Sequence, residues 1–157
     1  MLADEPDDLI ETVAELPSTN GALIARLRQQ EIVPEGNWLI ADRQSAGRGR
    51  AGRVWSDGFG NFMGSTVVRL RTGDPLAQTL ALVAGVAVHE AVVACAPDLA
   101  GLVLKWPNDL LVGDAKLAGI LLERHEDGVI VGVGVNLAKA PDVPGRATCC
   151  LAGLGYT

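Results

Sequence analysis

Leu102-Val103-Leu104-Lys105-Trp106-Pro107-Asn108-Asp109-Leu110-Leu111-Val112-Gly113-Asp114-Ala115-Lys116-Leu117-Ala118-Gly119-Ile120-Leu121-Leu122 is the stretch that sets the architecture. Residues 102–106 read as a strand halted by Pro107. Residues 110–112 and 117–122 flank Gly113-Asp114, a turn signal that predicts a hairpin. Downstream, residues 129–137 form a further strand pattern in which Gly132 and Gly134 permit close approach of a ligand or another backbone. Upstream, residues 61–70 and 37–41 read as strands, the second delivering the chain to Gln44. Two segments have helical character. Ser18 or Thr19 is placed to cap a helix with Leu23, Ile24 and Leu27 on one face. Residues 75–95 form a long Ala/Val/Leu helix opened by Asp74-Pro75, apolar nearly all round and so expected to be a core helix. Hairpins with two helices predict an α+β fold: a mixed, mainly antiparallel sheet with helices packed on one face.

The composition restricts the function. At 157 residues, with 48% hydrophobic and 20% charged content, the chain reads as one globular domain. A net charge of -6 argues against a general nucleic-acid or membrane-surface binder, which needs a broad basic face. Cys95, Cys149 and Cys150 match no zinc spacing, and two histidines leave little for a histidine metal site or triad. Residues 1–15 are acidic, unlike a signal peptide, and the apolar run at 80–88 falls short of a membrane span. These features together read as a cytoplasmic protein with reduced thiols, bound to neither membrane nor nucleic acid.

Cationic chemistry is concentrated in two places. Gly47-Arg48-Gly49-Arg50-Ala51-Gly52-Arg53 carries three guanidiniums on a glycine-rich segment, suited to a loop that closes over an anion. Of the three lysines, Lys105 and Lys116 lie in the opening stretch. No Gly-x-x-x-x-Gly-Lys-Ser/Thr occurs, and although Gly47-x-Gly49-x-x-Gly52 fits a dinucleotide expression, no helix pattern follows it. Each feature has a plain structural alternative: Arg/Gly loops can be merely solvated, Asn108-Asp109 can form an Asx-turn, and a single lysine usually faces water. Trp55, just beyond the loop, favours ligand binding because an aromatic there can cover a bound ring. An RNA-binding use of the loop is disfavoured, since no aromatic platform accompanies it.

Taken in order, Ser18-Thr19-Asn20, the Gln44 to Trp55 run, Lys105-Trp106-Pro107-Asn108-Asp109, Lys116-Leu117-Ala118-Gly119 and Gly132-x-Gly134-x-Asn136 form a set. That set, over residues 17–137, resembles the catalytic domain of biotin protein ligases. The resemblance implies a class II synthetase/biotin ligase-like fold and two half-reactions, activation of biotin with MgATP to biotinyl-5′-AMP and transfer to a lysine. The implied partner is the biotin carboxyl carrier protein of acetyl-CoA carboxylase. By matching positions, Ser18, Thr19 and Gln44 look like the groups that bond the ureido head of biotin, with Gly47, Arg48, Gly49, Arg50 and Gly119 walling the pocket. Trp106 and Leu117 are implied in an apolar trench for the rest of biotin. Lys116 matches the lysine that bridges the biotin carboxylate and the α-phosphate, and Arg50 the residue that retains the adenylate. Arg48, Arg50, Arg53, Trp55, Lys105, Asn108 and Asn136 are implied in ATP binding, Arg53 towards pyrophosphate and Asn136 towards the adenine edge. Asp109 is implied in Mg²⁺ binding and in deprotonating the acceptor lysine.

The chain departs from the family pattern at both ends. The segment before Ser18 is too short and acidic for a winged-helix DNA-binding domain, and a C-terminal SH3-like subdomain is expected to be absent, leaving one catalytic domain over residues 1–157. The alternatives are a lipoate or octanoate ligase, which shares the fold and adenylate chemistry, and a truncated, non-catalytic biotin-binding module. An exposed sheet edge could support a homodimer.

Overall fold

The structure, a computed structural model, describes residues 9–56 and 58–156. Seven strands form one sheet: β1 (Ile10–Leu16), β2 (Trp38–Gln44), β3 (Phe62–Arg69), β4 (Leu102–Lys105), β5 (Asp109–Val112), β6 (Ala115–His125) and β7 (Gly128–Val135), in the order β1-β2-β3-β7-β6-β5-β4. Among these seven strands of the described residues, only β1 and β2 pair in parallel. Helix α1 (Thr19–Arg28) links β1 to β2, and α2 (Leu80–Cys95) links β3 to β4. The sheet is therefore mixed and mainly antiparallel, and the hairpin turns at Gly113, whose φ of 58° suits a residue without Cβ.

The helices lie on opposite faces rather than on one. On β7, Ile130 packs with Leu23 and Leu27 of α1 and with Leu39 and Val67. Its neighbours Val129, Val131, Val133 and Val135 pack instead with Val92 of α2 and with Leu110 and Ile120. Alternate residues of a strand point to opposite faces, so α1 and α2 sandwich the sheet. A central strand buried at every position, as β7 is, needs cover on both sides.

Other expectations are refined as well. Helix α2 begins at Leu80, after a short 3-10 turn, because Leu76 is extended at ψ 140°; Pro75 is not in its first turn. Nor is it a core helix: only Gly85 and Val92 are buried, while Leu82, Val83, Val86 and Val93 are exposed. The continuous segment Ala77–Cys95, longer than the apolar run at 80–88, is by length and composition alone apolar enough to cross a membrane. Strand β1 was not anticipated. It is an edge strand whose residues are mostly exposed, with Arg26 of α1 bonding both carboxylate oxygens of Glu11 at 2.6 and 2.7 Å.

One irregularity places the key cation. Asp109 pairs with Gly119 and Leu110 with Ala118, but Leu111 pairs with Lys116, so β6 carries one extra residue. Gly119 faces the α1 side of the sheet, and strict alternation would send Lys116, three residues earlier, to the α2 side. The bulge turns it back beside Asp109.

Replacing Ile130, which is fully buried under α1, by Ala should destabilise the fold by about 2–5 kcal/mol. Urea denaturation measures this, and a loss well under 1 kcal/mol would mean that α1 is not seated there.

Candidate active site

The α1 face of β7 changes character along its length. Ile130 seats the helix, Gly132 leaves room for the Asn20 side chain, and Gly134 leaves room for the Trp55 indole. A Cβ at either glycine would overlap those side chains, so the missing side chains are what hollow out the site.

At the α1 end the site is polar and buried. Ser18 caps α1, its Oγ accepting from the Gly21 N–H at 3.3 Å. Gln44 Oε1 accepts from the Thr19 N–H at 2.7 Å and from the Thr19 hydroxyl at 3.2 Å. Ser65 Oγ lies 2.6 Å from both Thr19 Oγ1 and Asn20 Oδ1, and Asn20 Nδ2 donates to Glu123 at 2.9 Å. These bonds fix the hydroxyl and amide groups in one orientation before any ligand arrives.

The arginine loop is less loose than its glycines imply. Trp55 N–H donates to Gly47 O at 2.9 Å and Gly49 N–H to Arg53 O at 2.7 Å, with an Arg48–Val54 bridge between them. The reversal is made at Ala51 and Gly52, both at positive φ (55° and 72°). Arg48 lies 3.3 Å from Glu123 Oε1, and Arg50 donates to Asn108 Oδ1 at 3.0 Å. Asn108 is fixed in turn by its Nδ2 bond to Ile120 O at 2.8 Å. Trp55 lies across Gly119 and Gly134, with the Lys116 ammonium 5.4 Å from its ring centroid, within cation–π reach.

Lys116 Nζ bonds Asp109 Oδ1 at 2.7 Å, and Arg146 bonds the other carboxylate oxygen. Burial alone would raise the Asp109 pKa, but the hydrogen bonds from Lys116 and Arg146 outweigh it and hold the carboxyl below its ordinary value. For Lys116 burial is the largest influence, and it lowers the ammonium's pKa despite the bond to Asp109; Arg146 and Arg53 push the same way. A carboxylate held in its ionised form is a poorer proton acceptor than a free one. Both its oxygens also carry cations, and among the described residues no group of three or more His, Cys, Asp or Glu could hold a metal ion.

These groups surround one cavity of about 160 Å³. Ser18, Thr19 and Gln44 line one region of its wall. Arg48, Gly49, Arg50, Arg53 and Trp55 come from the loop, and Asn108, Lys116, Gly119 and Asn136 from the strands and their ends. Five residues singled out in the sequence are not on the wall. Gly47 lies behind Trp55, Asp109 sits behind Lys116, and Lys105 is exposed beside α2. Trp106 is 68% exposed and Leu117 belongs to the α2-side core, so neither forms a trench. Asn136 is 2% exposed and its Nδ2 donates to Lys116 O at 3.3 Å and Cys149 O at 3.0 Å, tying the C-terminal segment to β6. Sequence reasoning missed Arg146, Ser65 and Glu123. Only Glu123 carried a signal, as the acid closing the Lys-Leu-Ala-Gly-Ile-Leu-x-Glu run.

The model of the biotin/lipoate A/B protein ligase family matches residues 13–137. A biotin--[acetyl-CoA-carboxylase] ligase of Paracoccus denitrificans is 49% identical over 111 residues, 67% of this chain and 46% of that protein. The Mycobacterium tuberculosis protein of the same name is 39% identical over 152 residues, covering 93% of this chain and 56% of the relative. The chain thus spans about half the length of these curated relatives. Among solved structures, the Leishmania major biotin protein ligase in complex with biotinyl-5-AMP superposes with a TM-score of 0.80 at 28% identity, covering 96% of this chain and 65% of that one. The Aquifex aeolicus biotin protein ligase in complex with biotin and ATP gives 0.79 at 30%, covering 94% and 61%.

Gly134→Ala should expel the Trp55 indole from the cavity floor. Tryptophan emission should move to the red and become more accessible to acrylamide, and the change should vanish in a Trp55→Phe background. Unchanged emission would contradict the packing of Trp55 on Gly134.

Proposed function

The chain belongs to the biotin/lipoate A/B protein ligase family, and from that membership we propose that it activates biotin with MgATP and passes the biotinyl group to a lysine of a biotin carboxyl carrier protein. The observation that carries this reading is the meeting of Lys116 and the loop arginines in one cavity that also presents the polar cluster of Ser18, Thr19 and Gln44. A ureido ring offers two N–H donors and a carbonyl, and hydroxyl and amide side chains meet both kinds.

In the first half-reaction a biotin carboxylate oxygen attacks the α-phosphorus of ATP, pyrophosphate leaves, and a mixed anhydride forms. Two anions about 4 Å apart repel by roughly 4 kcal/mol at an effective dielectric of 20. The Lys116 ammonium offsets that repulsion and stabilises the charge that builds on the phosphoryl oxygens. Magnesium arrives on the nucleotide's phosphates as part of the substrate, which suits a site where the described residues form no carboxylate cage. Asn136 has spent its amide hydrogens on the backbone, leaving its carbonyl oxygen as the group to accept from the adenine amine. Arg50 closes over the adenylate and keeps water from it, Arg53 faces the pyrophosphate, and Trp55 packs near the adenine from the cavity floor.

In the second half-reaction the acceptor lysine's amine attacks the acyl carbon and AMP leaves. With Lys116 on one oxygen and Arg146 on the other, Asp109 is read as holding Lys116 rather than taking the acceptor's proton. Biotin is preferred to lipoate as substrate because the polar cluster can exchange hydrogen bonds with a ureido head, while a dithiolane ring would cover the same buried groups and offer no hydrogen bond in return.

Biotin-dependent exchange of pyrophosphate into ATP tests the assignment, and lipoate in place of biotin should support none. Exchange with lipoate alone would overturn it. Lys116→Ala should lower exchange by about 10²–10³-fold, the scale of removing one preorganised electrostatic group. Arg50→Gly should leave exchange partly intact while releasing biotinyl-5′-AMP. Biotinylation of bystander proteins, read by streptavidin blot, is the expected sign, and a clean blot would contradict the retention role.

A further inference from the structure

Arg146 belongs to none of the motifs that carry the family resemblance, yet the fold brings it to the centre of the site. It sits at the end of the segment that follows β7, closed by an Arg146–Val143 bridge. Lys116 N–H donates to Ala147 O at 2.9 Å and Cys149 N–H to Lys116 O at 3.0 Å, so the segment runs as a short parallel strand beside Lys116. Asn136 ties both backbones together, and Asn61 holds the segment's start by accepting from the Ala138 and Lys139 N–H groups at 3.0 Å. The guanidinium then reaches the cavity wall and takes the Asp109 oxygen that Lys116 does not.

The charges decide what this does. Lys116 with Asp109 alone is a neutral pair, half buried, and has little net attraction for an incoming anion. With Arg146 the cluster holds two positive charges and one negative, so one net positive charge remains where anionic reactants must meet. The carboxylate is also divided between two donors, which keeps Lys116 from being held by both oxygens.

We propose that Arg146 is a positioning residue of this site: by occupying one oxygen of Asp109 it keeps the Lys116 ammonium available to the biotin carboxylate. The inference rests on the biotin-activating reading above, and it extends that reading to a residue acting through Asp109.

Titration calorimetry with biotin and with biotinol, the alcohol that lacks the carboxylate, tests it on the full chain. Arg146→Ala should weaken biotin binding about tenfold, since one unit of charge is lost beside the carboxylate, and leave biotinol within about twofold. Arg146→Lys should retain biotin affinity. Adding Asp109→Asn to Arg146→Ala returns the cluster to one net positive charge and should recover most of the lost affinity. Should the Ala variant fail to fold, Arg146→Gln supports the same comparison. Equal weakening of biotin and biotinol would reduce Arg146 to a structural staple and overturn the proposal. A double variant as weak as the single one would also overturn it, by showing that Arg146 does not act through Asp109. Wild-type protein that binds neither ligand would refute the biotin reading itself, and with it this inference.

Discussion

A lysine ammonium largely removed from water must be held by a negative group and still be free to serve another. That constraint organises the site. Asp109 is the holder, and the bulge in β6 turns Lys116 towards it; the segment after β7 stands beside Lys116 and supplies the second cation. The loop arginines follow the same pattern, with Arg48 near Glu123 and Arg50 on Asn108. These are exchangeable partners. A ligand with stronger negative charge can draw the cations from them without unfolding anything, because the partners are themselves anchored by α1 and by β6.

The sheet gives these groups a common face. β7 is apolar towards α2 at every odd position, and towards α1 it presents Ile130 and then two glycines. One strand therefore seats a helix, admits a polar network and floors a cavity. The α2 side carries the larger apolar core, and the α1 side carries the chemistry.

Much of this was legible in the sequence, for physical reasons that differ by element. The β5–β6 hairpin was readable because Gly113-Asp114 demands a tight reversal, and β7 because its run of β-branched residues has no other stable use. The cavity cations were readable because glycine-spaced arginines and a scarce lysine stand out against an acidic background. Strand β1 was hidden by its exposure: an edge strand needs no apolar face, and so leaves no alternation to find. The placing of helices on one face failed because strand identity does not say which side a helix covers; only the register of Ile130 against its neighbours does. Asp109 as a metal ligand and proton acceptor came from the resemblance alone; what the structure adds is Lys116 on one of its oxygens and Arg146 on the other. Arg146 was invisible, since a single arginine in a loop has no spacing, and tertiary pairing alone reveals it.

The central claim is that Lys116 and the guanidinium loop serve one anionic ligand in one cavity. Hydrogen exchange on the chain with and without a non-hydrolysable biotinyl-adenylate tests this most directly. Residues 47–55 and 115–119 should become protected together at a single saturating concentration. Protection of one segment without the other, or of the two at unrelated concentrations, would contradict it.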